Sequence, residues 1–236
     1  MSARSGPRAT VWDTFAVPSR SFLSRLAEAE REALLTIGVR RTFPAGSVLL
    51  FQDEQDDRVI LILAGRVKVI RADQDRHELL LAIRDPGDLL GELAFIDGLP
   101  RVATVTALEE VEALVMNAGA LREHLRVSPD VAVALLESVT ARFREDSVQR
   151  MQLAALDTLG RVCARITELA ERYGRTTDAG IEVEMPISQE ELATWTGASR
   201  AGVAKALQTL RELGWLETER RVLIVRDVES LRGRFS

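Results

Sequence analysis

A single cysteine, Cys163, excludes an internal disulfide and, within one chain, a four-cysteine iron–sulfur centre. Histidine is nearly as scarce: His77 and His124 are the only two, so any metal site would have to lean on carboxylates. No apolar run approaches the roughly 18 residues needed to span a bilayer. The opening segment MSARSGPRAT has no apolar stretch of the kind a signal peptide carries, so residues 1–20 are expected to form a loose tail, neither signal nor anchor. A cytoplasmic location, with no membrane partner, is the expectation. No nucleophile and base pairing, metal cluster or nucleoside-triphosphate loop stands out, which points away from an enzyme. An excess of basic residues is missing too. The net charge of −5 argues mildly against DNA binding, but phosphate affinity follows a local basic surface and not the sum over the chain.

What is present is globular in composition. With 46% hydrophobic and 28% charged residues, the 236-residue chain is long enough for one large or two modest domains. Cys163 lies on an apolar helical face and reads as a small buried hydrophobe. His77 beside a turn and His124 near a helix end read as surface residues.

The most informative stretch runs from Ile187 to Gly214. Ser188 is placed as an N-cap, and Glu191 three residues later completes a capping box for a helix reaching Thr196. Gly197 supplies the left-handed exit, and Ser199 caps a second helix after a gap of about three residues, the layout of a helix-turn-helix. Val203, Ala206, Leu207, Leu210 and Leu213 form its inward face. Arg200, Ala201, Ala204, Lys205 and Gln208 lie opposite, with side chains able to bond guanine, phosphate or adenine. Short β-prone runs at Trp215–Thr218 and Val222–Val225 add a hairpin. Helix-turn-helix plus hairpin makes a winged helix whose tip carries Arg220 and Arg221, placed to meet phosphates.

From Val39 to Met116 the pattern changes to short β-prone runs separated by glycine and proline: Val39–Phe43, Ser47–Phe51, Val59–Leu63, Val67–Arg71, Leu79–Ile83, Ala103–Ala107 and Val111–Met116. Strands at this spacing predict a sandwich or barrel. A helix from Phe22 to about Ile37 precedes them. A long helix follows, from Ser128 and Pro129 to about Gln152, with Val131, Leu135, Val139, Phe143 and Met151 as an apolar stripe and Ala132 and Leu136 beside it. The stripe could be a homodimer seam or could pack on the same chain's β-domain, and one helix can do both. A bend near Asp157 and Gly160 then opens a further helical segment to Tyr173.

The order of β-domain, long helix and winged helix, with GELAFIDGLPRVAT at Gly91–Thr104 and SRAGVAKALQTL at Ser199–Leu210, resembles the cyclic AMP receptor protein (CRP/FNR) family of bacterial transcription factors. The similarity runs from Phe22 to Asp227. It implies an α+β chain: a cyclic-nucleotide-binding-like β-roll over 21–127, a dimerisation helix over 128–155 and a winged helix-turn-helix over 156–236. Chemically, Gly91 lets backbone N–H groups approach an anion, Glu92 can accept from a sugar hydroxyl and Arg101 can pair with a phosphate. The family's ligand cassette maps onto Gly91, Glu92, Leu93, Ala94, Arg101 and Val102, and its adenine-reading pair on the long helix onto Asp146 and Ser147.

Four departures bear on function. Family members that bind cyclic nucleotides commonly have Ser or Thr after the arginine; Val102 removes that hydrogen bond, worth about 1.5–3 kcal/mol, or roughly one to two powers of ten in affinity. Asp146 can accept from an exocyclic amine but cannot donate. In the recognition helix Ala201 replaces a glutamate that accepts from cytosine, and Gly202 a larger polar residue.

The resemblance implies a homodimeric regulator of palindromic double-stranded DNA under allosteric control by a small ligand such as cyclic AMP or cyclic GMP, with no covalent cofactor and RNA polymerase as a further candidate partner. Ser188, Gln189, Ser199, Arg200, Lys205, Gln208, Arg220 and Arg221 are the expected DNA contacts. Two alternatives stay open: a ligand-independent regulator with a vestigial pocket, and a cyclic-nucleotide-binding subunit of an enzyme.

Overall fold

The computed structural model describes residues 18, 21–75, 77–184, 187–219 and 222–235. The chain divides into two compact units, one comprising residues up to Val69 with Ile83–Val139, the other Ile70–Ala82 with Thr140 onward. The expected tail lies almost wholly outside the described residues.

The first unit begins with a 3-10 turn, Leu23–Arg25, and helix α1, Glu28–Thr36. The single helix expected from Phe22 is therefore broken, because Leu26 is extended and the Glu30 carboxylate accepts the Ala27 N–H to start α1 afresh. Strands β1 (Gly38–Phe43), β2 (Val48–Leu50), β3 (Arg58–Ala64), β4 (Val67–Ala72), β5 (Glu78–Arg84) and β6 (Leu89–Leu90) follow in the chain, the Ile70–Ala82 part of β4 and β5 being counted in the second unit. Helix α2 (Glu92–Asp97), strands β7 (Thr104–Ala107) and β8 (Val111–Asn117), and helix α3 (Ala118–Val127) complete the series before the long α4, Pro129–Ala154.

The strands make two four-stranded sheets, ordered β1-β8-β3-β6 and β2-β7-β4-β5. Strand β3 explains how they share a core. Its residues alternate in direction, so Val59, Leu61 and Leu63 enter one apolar cluster with Leu89, Leu114 and Met116. Ile60 and Ile62 enter another with Val67, Leu90, Val105 and Ala113. An unbroken apolar run is what a strand buried on both faces requires.

Helix α4 has two kinds of apolar residue. Val131, Ala134 and Leu135 are buried in the first cluster, with Val139 against it. The N-terminal members of the expected stripe thus pack on the chain's own core, while its later members Phe143 and Met151, with Val133, Leu136 and Val148, are exposed. Among the described residues no helix is long and apolar enough to cross a membrane.

Besides Ile70–Ala82 and the part of α4 from Thr140 on, the second unit contains α5 (Thr158–Tyr173), β9 (Arg175–Thr177), β10 (Gly180–Glu184), α6 (Gln189–Thr196), α7 (Arg200–Glu212), β11 (Leu216–Glu219), β12 (Val222–Val225) and α8 (Val228–Arg232). The expected hairpin is half of a four-stranded sheet, β11-β12-β10-β9. Asp157 caps α5 by accepting the Gly160 N–H at 2.7 Å. Val162, Cys163, Ile166 and Leu169 then bury one face of that helix.

Candidate functional site

The helix-turn-helix closes as its capping residues dictate. Ser188 Oγ accepts the Glu191 N–H at 3.2 Å and the Glu191 carboxylate accepts the Ser188 N–H at 2.7 Å, both bonds of a capping box. Gly197 ends α6 in the left-handed region, φ 62. Ser199 Oγ accepts the Gly202 N–H at 3.1 Å and starts α7. A Cβ on Gly202 would lie 3.2 Å from that hydroxyl and 3.3 Å from a Thr158 methyl, so the chain's own packing gives a reason for glycine there.

Val203, Ala206, Leu207 and Leu210 are buried, which orients α7. Leu213, expected on the same face, is 50% exposed, because it follows the last residue of α7 just before Gly214 turns the chain. Arg200, Ala201, Ala204, Lys205 and Gln208 face outward and are exposed, as are Ser188, Gln189 and Ser199. Besides the two capping serines, Gln208 and Arg200 have intramolecular partners: Gln208 Nε2 donates to Glu212 at 2.8 Å, and Arg200 lies 3.9 Å from Glu190. Arg220 and Arg221 lie outside the described residues.

The cassette is built around Arg101, which is 3% exposed. Its Nη1 donates to the Gly91 carbonyl at 2.8 Å, and Nη2 to the carbonyls of Asp56, at 2.8 Å, and Arg58. The arginine backbone is clamped as well, its N–H donating to Glu54 O and its carbonyl accepting from Asp53 N–H. Asp53 has φ 62, the left-handed value this loop demands. Only Nε of the Arg101 guanidinium is buried without a hydrogen-bond partner. Burial pushes the Arg101 pKa down, against the pull of Asp56.

Glu92 is buried, Leu93 and Val102 are exposed, and Ala94 is half-buried. A cavity of about 350 Å³ adjoins Arg101, lined among others by Asp56, Arg58, Phe95, Leu99 and Arg122. Of the expected ligand residues, Ala94 and Arg101 line it; Gly91, Glu92, Leu93 and Val102 do not. On α4, Asp146 is exposed and Ser147 Oγ donates to the Phe143 carbonyl at 2.7 Å.

His77 is exposed and sits 3.2 Å from Asp73; the exposed Asp73, Asp75 and His77 are the one group among the described residues spaced to share an ion. His124 is half-buried rather than on the surface. Cys163 is fully buried, and burial pushes its thiol pKa up to about 11.

The sequence reading missed the loop 53–58 that holds Arg101. Its contacts are main-chain carbonyls, which leave no side-chain signature. The acidic run Asp53–Asp57 was the visible trace.

Residues 40–128 match the family model described as a cyclic nucleotide-binding domain, and residues 160–234 the Crp-like helix-turn-helix domain. The chain is 34% identical over 192 residues to the CRP-like cAMP-activated global transcriptional regulator of Mycobacterium tuberculosis, covering 81% of this chain and 86% of that protein. It is 27% identical over 185 residues to the cAMP-activated global transcriptional regulator CRP of Salmonella typhimurium, covering 78% and 87%. Among solved structures, the c-di-GMP-responsive global regulator CLP of Xanthomonas campestris superposes with a TM-score of 0.77 at 20% identity, over 85% of this chain and all of that one. At that identity the likeness speaks for the fold. These relatives are regulators and not enzymes, which sets aside the enzyme-subunit alternative.

Proposed function

The chain belongs to the CRP/FNR family of transcriptional regulators, DNA-binding proteins with an effector-binding domain, and from that premise we propose that it is a cytoplasmic homodimer that reads a palindromic operator under the control of a small anionic ligand. The observation that carries the DNA half of this reading is the outward face of α7, where Arg200, Lys205 and Gln208 stand exposed on a helix fixed by its buried apolar face. In a two-fold dimer such helices enter successive major grooves about 34 Å apart. The exposed Phe143 and Met151 on α4 supply an apolar face for the second subunit. Selection of bound duplexes from random sequence tests this, and recovery of no two-fold motif would sink it. Replacing Arg200 and Lys205 together with alanine should abolish retardation of the selected duplex.

On the effector side, a cyclic nucleotide is the first choice, with Arg101 as its phosphate partner. Nε is a buried donor still open to an acceptor, and the cavity beside it has room for a small molecule. The two terminal nitrogens would have to exchange carbonyl partners for phosphate oxygens. That competition favours a second reading, in which Arg101 is structural and DNA is bound without any ligand. Calorimetric titration with cyclic AMP and cyclic GMP separates the two: heat that vanishes in Arg101→Lys supports the nucleotide, and absence of heat supports ligand independence.

A further inference from the structure

Outside the cassette and the outward face of α7, one charged side chain among the described residues of the second unit is buried, and it touches three helices. Arg165 on α5 is 8% exposed. Its Nη1 donates to Gln149 on α4 at 3.0 Å and to Glu168 on its own helix at 2.6 Å. Its guanidinium carbon lies 4.5 Å from the ring centre of Trp195 on α6, a cation–π distance. Glu168 also accepts from Arg172 at 3.0 Å, which fixes the carboxylate.

The sequence between α4 and α5 explains why such a link is needed. Residues 155–157 form a bend in which Ala155 and Leu156 donate to carbonyls only three residues back, so the helical hydrogen-bond ladder stops there. Backbone continuity alone would leave the angle between α4 and α5 to a short bend. Arg165 spans that bend by side chain, from Gln149 on one side to Trp195 on the other. A guanidinium does this well, because its planar fork can donate in-plane while its face stacks on an indole.

We infer that Arg165 is a positioning residue for DNA recognition: it locks the last turns of α4 to α6, the first helix of the DNA reader, and so sets the angle at which each reader is presented. The inference rests on the homodimer proposed above, since only a reader fixed to the dimer helix gains from a fixed angle. A loosened reader still binds one half-site but loses the advantage of two readers held at the right separation.

The test uses the full-length protein and two fluorescent duplexes, one carrying the palindrome selected by the wild type and one a single half-site. Arg165→Met keeps the length of the side chain, and Gln149→Leu breaks the link from α4, outside the reader. Both should lose about tenfold in affinity for the palindrome while half-site affinity stays within about twofold, with Arg165→Lys between them and the wild type. Equal losses on both duplexes would mean damage within the reader and would overturn the inference, as would undiminished binding to the palindrome. A wild type that does not prefer the palindrome overturns the dimer reading, and this inference with it.

Discussion

The guanidinium of Arg101 fills the space that a side chain on Gly91 would occupy. Gly91 sits at φ 77 with its carbonyl bonded to Arg101 Nη1 at 2.8 Å, and a Cβ there would run into that nitrogen. Glycine and arginine specify one another across a separation of ten positions in the cassette, with the carbonyls of Asp56 and Arg58 as the other half of the cradle.

Gly91→Ala should therefore be costly on two counts, left-handed strain and displacement of a buried charge, together about 2 kcal/mol or more. Urea unfolding followed by circular dichroism measures it, and a midpoint equal to that of the parent would refute the mutual fit.

Asp56 should shape stability in acid. Burial raises its pKa, but hydrogen bonds from the Arg58 side chain and backbone, with the charges of Arg58 and Arg101, outweigh burial and hold it below the usual 3.8. A folded-state pKa below the unfolded one means a stability contribution that is present above about pH 4 and disappears as pH falls through the lower folded value. Asp56→Asn should lower the urea midpoint at pH 6 and flatten its decline between about pH 4 and pH 2. Parallel pH profiles for variant and parent would show that the carboxylate is not linked to folding.

Cys163 should be inert in the native protein. Burial, aided by Asp157 and opposed by Arg234, lifts its thiol to about 11, so at pH 8 only about one molecule in a thousand carries the thiolate. A disulfide reagent should label it only after addition of denaturant. Prompt labelling without denaturant would contradict the burial.

Phe143 is 66% exposed in the middle of α4, and Met151 is 76% exposed two turns further on. Phe143→Asp should convert the proposed dimer to monomer in sedimentation experiments at micromolar concentration, with the helical signal retained. Persistence of the dimer would place the seam elsewhere.

The elements that could be read from sequence are those whose local chemistry is decisive. The Ser188–Glu191 capping box, Gly197 and Ser199 place α6 and the start of α7 to the residue. The β-branched runs fix most strands of the first unit. Elements held mainly by tertiary partners were not legible: β6 is only two residues, Leu89–Leu90, and β9 and β10 exist by pairing with one another and with β12. Helix α3 had a readable start in Asn117, whose side chain accepts the Gly119 N–H. The division of labour along α4 was not readable either, because Val131 and Phe143 look alike until the β-domain claims one of them.

Strand β3 carries a further consequence, concerning register. In most strands a slip of one residue throws apolar side chains into water, and the loss of burial forbids it. Here Val59, Leu61 and Leu63 face one apolar cluster and Ile60 and Ile62 another, so a slip would exchange cores and bring only one end residue, Val59 or Leu63, toward solvent. Hydrophobicity therefore sets this alignment only weakly, and the two ends of the strand do the rest. At one end Asp56 holds the Arg58 backbone N–H and side chain at 2.8 and 2.6 Å. At the other, Gly65 turns at φ 78 where the Glu110 carbonyl leaves no room for a side chain. The polar loop that grips Arg101 thus also keeps the central strand from sliding.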